Sequence, residues 1–146
     1  MKKILTIALG TLLFTQAGFA VQQIMQKELP LTKMQQQNRT IVKMASEELS
    51  KDLPQKIDQY TTLMKIEGKQ ESLIYIFEIN TGAKSDEAVQ KEDRTRMQKA
   101  VTRGVCHTSK RFLDADITIV YRYLSAKSKK ELFHFDISKG NCTYIK

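Results

Sequence analysis

The sequence has little histidine, cysteine or glycine, and these shortages restrict its chemistry. His107 and His134 are the only histidines, and no HxH, HExxH or CxxC spacing is present, although such spacings are typical of zinc sites. The six glycines are scattered, so no glycine-rich loop is available to hold a phosphate. No spacing identifies a Ser-His-Asp triad or a pair of catalytic carboxylates. We therefore expect a protein that is not an enzyme and that needs neither metal nor cofactor.

Long apolar runs are also scarce, and the one at the N-terminus is too short to cross a membrane. Residues 4–14 form an almost uncharged apolar stretch after two lysines, whereas a membrane span needs about 20 residues. Gly18 and Ala20 supply the small side chains of a signal-peptidase cleavage site. The pattern predicts a signal peptide over residues 1–20 and a periplasmic or secreted protein. No cysteine lies near the cleavage point, so we do not expect a lipid anchor.

Cys106 and Cys142 are the only cysteines of a chain addressed to an oxidising compartment. A pair of cysteines in that setting predicts a disulfide. The alternative is a thiol enzyme in which Cys106 acts beside His107. However, Cys106 falls at the end of a predicted helix, where the helix dipole raises the pKa of a thiol and makes it less reactive. The disulfide is the stronger prediction, and a free thiol in the exported protein would contradict it.

The chain has an excess of basic residues, and these residues are spread along the sequence. The sequence holds 24 basic and 16 acidic residues, for a net charge of +8, and removal of Lys2 and Lys3 with the leader would lower this to +6. Such a surface can serve solubility or attract an anionic partner. Nucleic-acid binding is not expected, because the segment YRYLSAKSKK places Tyr121 and Tyr123 on the same strand face as two isoleucines. That face predicts a core or half-buried stripe rather than an exposed stacking platform.

The first part of the mature chain shows no strong periodicity. We expect a flexible lead-in over residues 21–37, which becomes helical somewhere after Pro30, and a single domain over residues 38–146. From Asn38 onward apolar residues recur at helical spacing, which predicts a first helix. This helix must end before Pro54, which cannot continue it.

The rest of the chain alternates between hairpins and a helix. Residues 57–66 and 73–79 read as strands around a turn at Gly68, and the second strand is apolar on both faces, which is typical of a central strand. Residues 86–105 predict a second helix, with Phe112 able to anchor a short helical turn after it. A second hairpin follows around the turn SAKSKK. We therefore expect an α+β fold in which two helices pack on a four-stranded antiparallel sheet, in helix-hairpin-helix-hairpin order, with one disulfide.

The spacing of several short motifs resembles a known group of proteins. These motifs are VC at 105–106, FL at 112–113, YRY at 121–123 and FDIS…C at 135–142. The layout is similar to that of the AspS-type pilotins of type II secretion, small exported proteins with one disulfide that bind a helical segment of the secretin. The resemblance implies an accessory role and the same fold class, and it supplies no catalytic residues. This chain departs from the group because it lacks the cysteine of a lipoprotein signal.

The leading hypothesis is a non-enzymatic periplasmic protein that docks onto an envelope or secretion-system protein. We expect a helix or strand to bind at a sheet edge or in an apolar groove between the first helix and the sheet. Met34, Ile41 and Met44 are the candidate contact residues, because methionine packs adaptably. The alternative is a periplasmic immunity protein or enzyme inhibitor, which also needs a small rigid scaffold and no active site.

Overall fold

The computed structural model describes residues 30–142, in which three helices lie on a five-stranded mixed sheet. The helices are α1 (Lys33–Leu49), α2 (Asp86–Thr108) and α3 (Lys110–Asp114), and a 3-10 helix (Lys139–Cys142) follows the last strand. The strands are β1 (Gln55–Lys56), β2 (Thr61–Lys69), β3 (Ser72–Ile79), β4 (Thr118–Ser125) and β5 (Glu131–Ile137). The signal peptide predicted over residues 1–20 lies outside the described residues. No helix in the described range is long and apolar enough to span a bilayer.

The α+β class is confirmed, but the predicted four-stranded antiparallel sheet with two helices is wrong in detail. The strands lie in the order β1-β2-β3-β4-β5, and β3 and β4 are parallel while the other neighbours are antiparallel. The reason is the crossover: a chain that leaves β3, crosses the sheet in α2 and re-enters beside β3 must run in the same direction again. The expected central place of β3 is confirmed, with two strands on either side.

Helix α1 begins at Lys33, within the stretch after Pro30 where the lead-in is expected to become helical, so the predicted domain boundary at residue 38 falls inside the helix. Thr32 caps the helix: its Oγ1 accepts from the N–H of Gln35 at 3.2 Å, and Gln35 Oε1 accepts from the N–H of Thr32 at 3.0 Å. This reciprocal capping box satisfies two donors that the first turn would leave unpaired. The helix then packs on β2 and β3 through Val42 and Ser46.

Gly68 belongs to a strand rather than to the predicted turn. The chain reverses two residues later, at Gln70 and Glu71, where Gln70 has a φ of 52°. Gly68 instead lies beneath α1, where an added Cβ would come within 2.9 Å of Val42 Cγ1. A glycine is therefore needed here for the close approach of the helix.

One face of the sheet forms the core. The strand register places Leu73 beside Ile119 and Ile119 beside Ile137, all at most 1% exposed. α1 and α2 cover this face, which we call the helix face. The opposite face carries charged pairs, including Arg122 with Glu131 at 2.7 Å. One packed and one solvated face is the ordinary arrangement for a sheet covered by helices on one side only.

Candidate functional site

A row of aromatic rings runs across the helix face over β3, β4 and β5. We call it the aromatic strip, and its members are Tyr75, Phe77, Tyr121, Tyr123, Phe133 and Phe135. The strand register places these rings side by side, because alternate residues of each strand point to the same face. Ring centroids of neighbours lie 4.7 Å apart for Phe77 and Tyr123, and 5.1 Å apart for Tyr75 and Tyr121. These distances allow each ring to stabilise the next.

Burial falls from one end of the aromatic strip to the other. Phe133 is 1% exposed, whereas Tyr75 and Tyr121 are only half-buried. Burial raises the pKa of Tyr121 to about 12, and the neighbouring Tyr75 adds to the rise. Both tyrosines therefore stay neutral at ordinary pH and present an apolar ring with a hydroxyl group. The half-buried stripe that the sequence predicts at Tyr121 and Tyr123 is confirmed.

A groove of about 440 Å³ adjoins the buried end of the strip, and we call it the aromatic groove. One wall is the turn between β1 and β2, which carries Asp58 and Tyr60, and the other is α2. Phe133 belongs to both the strip and the groove. The lining of the aromatic groove consists of Asp58, Tyr60, Thr61, Ile79, Asn80, Thr81, Lys84, Val89, Asp93, Arg96, Met97 and Phe133.

The turn that holds Tyr60 is fixed by Asp58. Oδ1 of Asp58 accepts from the backbone N–H groups of Tyr60 and Thr61, both at 2.8 Å. The hydrogen bond from Tyr60 is the main cause that keeps the pKa of Asp58 below its usual value. The carboxylate also contributes, after burial and Tyr121, to the raised pKa of Tyr123. Asp58 thus connects the wall of the groove to the aromatic strip.

The charges at the rim of the aromatic groove cancel. Asp93 accepts from Arg96 Nη2 at 2.8 Å, and Lys84 is paired with Glu92. Of the lining residues, two are acidic and two are basic. Attraction by net charge therefore plays a small part here, and the apolar floor and Tyr60, which is 59% exposed, dominate what the groove can bind.

A second and larger cleft, of about 1010 Å³, surrounds the disulfide, and we call it the disulfide cleft. Cys106 near the end of α2 and Cys142 in the 3-10 helix are joined across a Cα–Cα distance of 5.5 Å. The cleft is lined by Ala100, Arg103, Gly104, Cys106, His107, Lys110, Leu113, Asp114, Lys139 and Cys142. The disulfide thus forms part of its surface.

The contact residues predicted from the sequence lie on α1 and line neither cleft. Met34 and Met44 are 56% and 64% exposed, and Ile41 packs partly against the core. Val42 meets β2 so closely that neither cleft lies beneath α1. The sequence reasoning missed Tyr60 and Phe133 as site residues. Phe133 follows from strand alternation, but no sequence pattern brings it near Tyr60.

The histidines do not form a metal centre in the described part of the chain. His107 lines the disulfide cleft, and His134 on β5 contacts Glu131 and Asp136, with Nε2 3.1 Å from Asp136 Oδ1. No group of three or more histidine, cysteine or acidic side chains within residues 30–142 is placed to hold an ion.

Comparison with solved structures identifies proteins of the same fold. PA3611 of Pseudomonas aeruginosa, provisionally described as a secreted protein, superposes with a TM-score of 0.69 and 12% identity over 77% of this chain and 99% of its own. The type 2 secretion pilotin EpsS of Vibrio vulnificus gives 0.63 and 14% over 76% and 96%. The type II secretion pilotin AspS of Vibrio cholerae gives 0.57 and 18% over 75% and 96%. The predicted resemblance to these pilotins is confirmed at the level of the fold.

Comparison of the sequence with known proteins identifies a family of unknown function. No curated protein matches this sequence. Residues 36–133, from α1 to the middle of β5, match the family model described as a domain of unknown function, DUF8479. This match extends over more than half of the chain, and the chain is therefore a member of the DUF8479 family.

Proposed function

We propose that this protein is a non-enzymatic accessory protein of the bacterial cell envelope that binds a helical segment of a secretion-system protein in the aromatic groove. The single observation that carries the proposal is an open groove with a charge-balanced rim and the exposed ring of Tyr60 on one wall, in a fold shared with two pilotins. An amphipathic helix laid into an apolar groove is a recurring mode of peptide recognition.

The size of the aromatic groove indicates how a helix would bind. A helix is about 10 Å across and rises 5.4 Å per turn, so 440 Å³ is about the volume of one turn. The groove would therefore receive a few anchoring side chains from one helix face rather than enclose the helix. Met97 offers accessible apolar surface for these anchors, Phe133, which is 1% exposed, backs the groove, and Tyr60 can close over the anchors from the opposite wall.

The place of action we propose is the periplasm. A signal peptide over residues 1–20 would export the chain, and the Cys106–Cys142 disulfide fits an oxidising compartment. The partner would be a secretin, as the similarity to pilotins suggests.

The test measures the affinity of the protein for overlapping peptides that together cover the sequence of the secretin of the source organism. Tyr60→Ala removes a side chain of the groove wall that is 59% exposed. It should lower the affinity for the bound peptide by about 30-fold, or about 2 kcal/mol, as expected for a central aromatic contact. Met44→Ala is the matched control, because Met44 is similarly exposed, at 64%, and lies on α1. Circular dichroism checks that both variants fold.

The same pair of variants decides between the groove and the surface predicted from the sequence. That Met34, Ile41 and Met44 contact a partner stays a prediction. If Met44→Ala weakens binding and Tyr60→Ala does not, the aromatic groove is the wrong site. If no secretin peptide binds, and crosslinking through a photoreactive residue at position 60 captures a toxin or hydrolase instead, the immunity or inhibitor function replaces the proposed one.

A further inference from the structure

The disulfide cleft combines an apolar floor with a cationic rim. Ala100 and the Cys106–Cys142 bridge supply accessible apolar surface between α2, α3 and the 3-10 helix, and Leu113, which is 2% exposed, backs it from the core. Gly104 leaves the side of α2 open, because no atom lies within 4 Å of the position that a Cβ would occupy there. The cleft is therefore accessible where α2 passes it.

The rim carries more positive than negative charge. Among the described lining residues, Arg103, Lys110 and Lys139 face a single acid, Asp114, so these four side chains sum to +2. Asp114 is already paired with Lys110 at 2.6 Å, and this hydrogen bond is the main reason that its pKa is lowered. Arg103 and Lys139 form no ion pair with any residue of the described range. Lys139 acts on Asp114 without forming an ion pair with it, since Asp114 is paired with Lys110. Both Arg103 and Lys139 can therefore meet carboxylates of a ligand.

The spacing on α2 places a further polar side chain at the same cleft. Arg103 and His107 are four residues apart, so they lie on one face of the helix and both line the cleft. Lys139 approaches from the 3-10 helix, which the disulfide ties to α2. The positive groups therefore come from two elements whose proximity a covalent bond maintains.

The shape and chemistry of the cleft restrict its ligand. A volume of about 1010 Å³ is at the upper end of ligand sites, about 300–1,000 Å³, and far exceeds what a single small anion fills. Among the described residues no phenylalanine, tyrosine or tryptophan lines the cleft, so that part of the chain offers no such ring on which nucleic-acid bases could stack. A lipid bilayer presents a broad surface, which does not enter a concave site. An extended or helical peptide with both carboxylates and apolar side chains matches the rim and the floor together.

We propose that the disulfide cleft is a second binding site, which takes an acidic peptide segment of a partner protein. Carboxylates of that segment pair with Arg103 and Lys139, and its apolar side chains rest on Ala100 and the disulfide. The site is separate from the aromatic groove: the two share no lining residue. It does not depend on the proposed function, since an acidic segment could belong to any envelope partner.

The experiment titrates the ¹⁵N-labelled mature protein with a synthetic peptide rich in Glu, Leu and Ala, followed by two-dimensional NMR and fluorescence anisotropy. We expect shifted amides at residues 100–114 and 139–142, and weaker binding at high salt because exposed charges are screened. The double variant Arg103→Glu, Lys139→Glu should weaken the peptide by at least about tenfold, since its two charge pairs become repulsions.

The matched control is Lys33→Glu, Lys69→Glu, which makes the same change of charge at two exposed lysines that line neither cleft. If this variant retains the peptide affinity, the site is specific. Equal losses in both double variants would overturn the proposal, because binding would then follow net charge alone. Amide shifts at Tyr60 and Phe133 would overturn it as well, as would binding only to phosphatidylglycerol vesicles and not to the peptide. Since both replaced residues of the test variant are exposed, its NMR spectrum should remain that of a folded protein.

Discussion

The two clefts of this protein differ in what surrounds them and in how they are held. The aromatic groove is neutral, is backed by the buried ring of Phe133, and has a wall fixed by hydrogen bonds from a backbone turn to Asp58. The disulfide cleft is cationic, has no phenylalanine, tyrosine or tryptophan among its described lining residues, and has a wall fixed by a covalent bond. One small domain thus presents two surfaces of different chemistry, because the sheet face and the helix ends are built from different residue types.

The largest expected effect comes from removal of the disulfide. Replacement of both cysteines by serine frees a loop of 36 residues, which should lower the free energy of unfolding by about 3–4 kcal/mol. Urea denaturation of the oxidised wild type and the variant measures this difference. At temperatures where the variant is folded, it should no longer bind the acidic peptide, because Lys139 is no longer held near Arg103. Binding of a secretin peptide at the aromatic groove should remain.

The outcome that would contradict the comparison is equal loss at both clefts in the folded variant. Wild-type protein treated with dithiothreitol is the second test, since it breaks the same bond without a mutation. It should behave as the double serine variant does. If reduction leaves affinity for the acidic peptide unchanged, the disulfide does not organise that cleft.

A pair of glycine substitutions should give effects of opposite sign. Gly68→Ala pushes a methyl group to within 2.9 Å of Val42 and should destabilise the protein by about 1–3 kcal/mol, as overpacking does. Gly104→Ala meets no atom within 4 Å, lies within α2, and should stabilise by about 0.5–1 kcal/mol, because alanine favours the helix. Thermal or urea unfolding checks both, and each variant serves as the control for the other.

The two glycine variants also test whether the clefts are independent, because Gly104 lines the disulfide cleft. The added methyl group projects into open space there, so Gly104→Ala should leave the aromatic groove unaffected while it changes only the α2 side of the disulfide cleft. If Gly68→Ala proves neutral instead, the contact of α1 with β2 is looser than the structure indicates.

The smallest expected effect concerns pH and the wall of the aromatic groove. The pKa of Asp58 is lowered in the folded protein, so its contribution to stability is present above the ordinary value of 3.8 and is lost as pH falls through the lower folded pKa. Asp58→Asn keeps an oxygen that can accept from Tyr60 and Thr61 but cannot titrate in this way. The stability difference between wild type and variant should therefore shrink as pH falls below 3.8.

Unfolding at a series of pH values measures the effect, and the carboxyl ¹³C resonance of Asp58 gives its pKa directly. A pKa at or above 3.8 would contradict the hydrogen bonds that hold Tyr60 in place. A loss of secretin-peptide affinity over the same range would connect this turn to binding.

Much of the local structure could be predicted from the sequence. The apolar alternation of residues 73–79 identified the central strand, and the pattern of residues 86–105 identified most of α2. The acids in its first turn favour its N-terminus, and Ser85 Oγ accepts from the N–H of Ala88 to cap it. Strand β1 was missed because two residues carry no periodicity, and it exists only where the chain after Pro54 folds back along β2.

The candidate site was less predictable for a physical reason. Met34 and Met44 are conspicuous in the sequence, but their side chains point away from the sheet and are exposed. Tyr60 and Phe133 are 73 positions apart in the sequence, and only the sheet order brings the start of β2 and the start of β5 to the same groove as α2. No local pattern reports a neighbour at that distance.

The sequence by itself determined the α+β class, the positions of the main elements and the pair of cysteines, because periodicity, capping and residue count are local or additive properties. Only the tertiary structure decided that β3 and β4 are parallel, that Gly68 serves helix packing rather than a turn, and that two chemically different clefts exist. These features depend on which surfaces meet, and that choice is made by the burial of apolar area over the whole sheet rather than by any one segment.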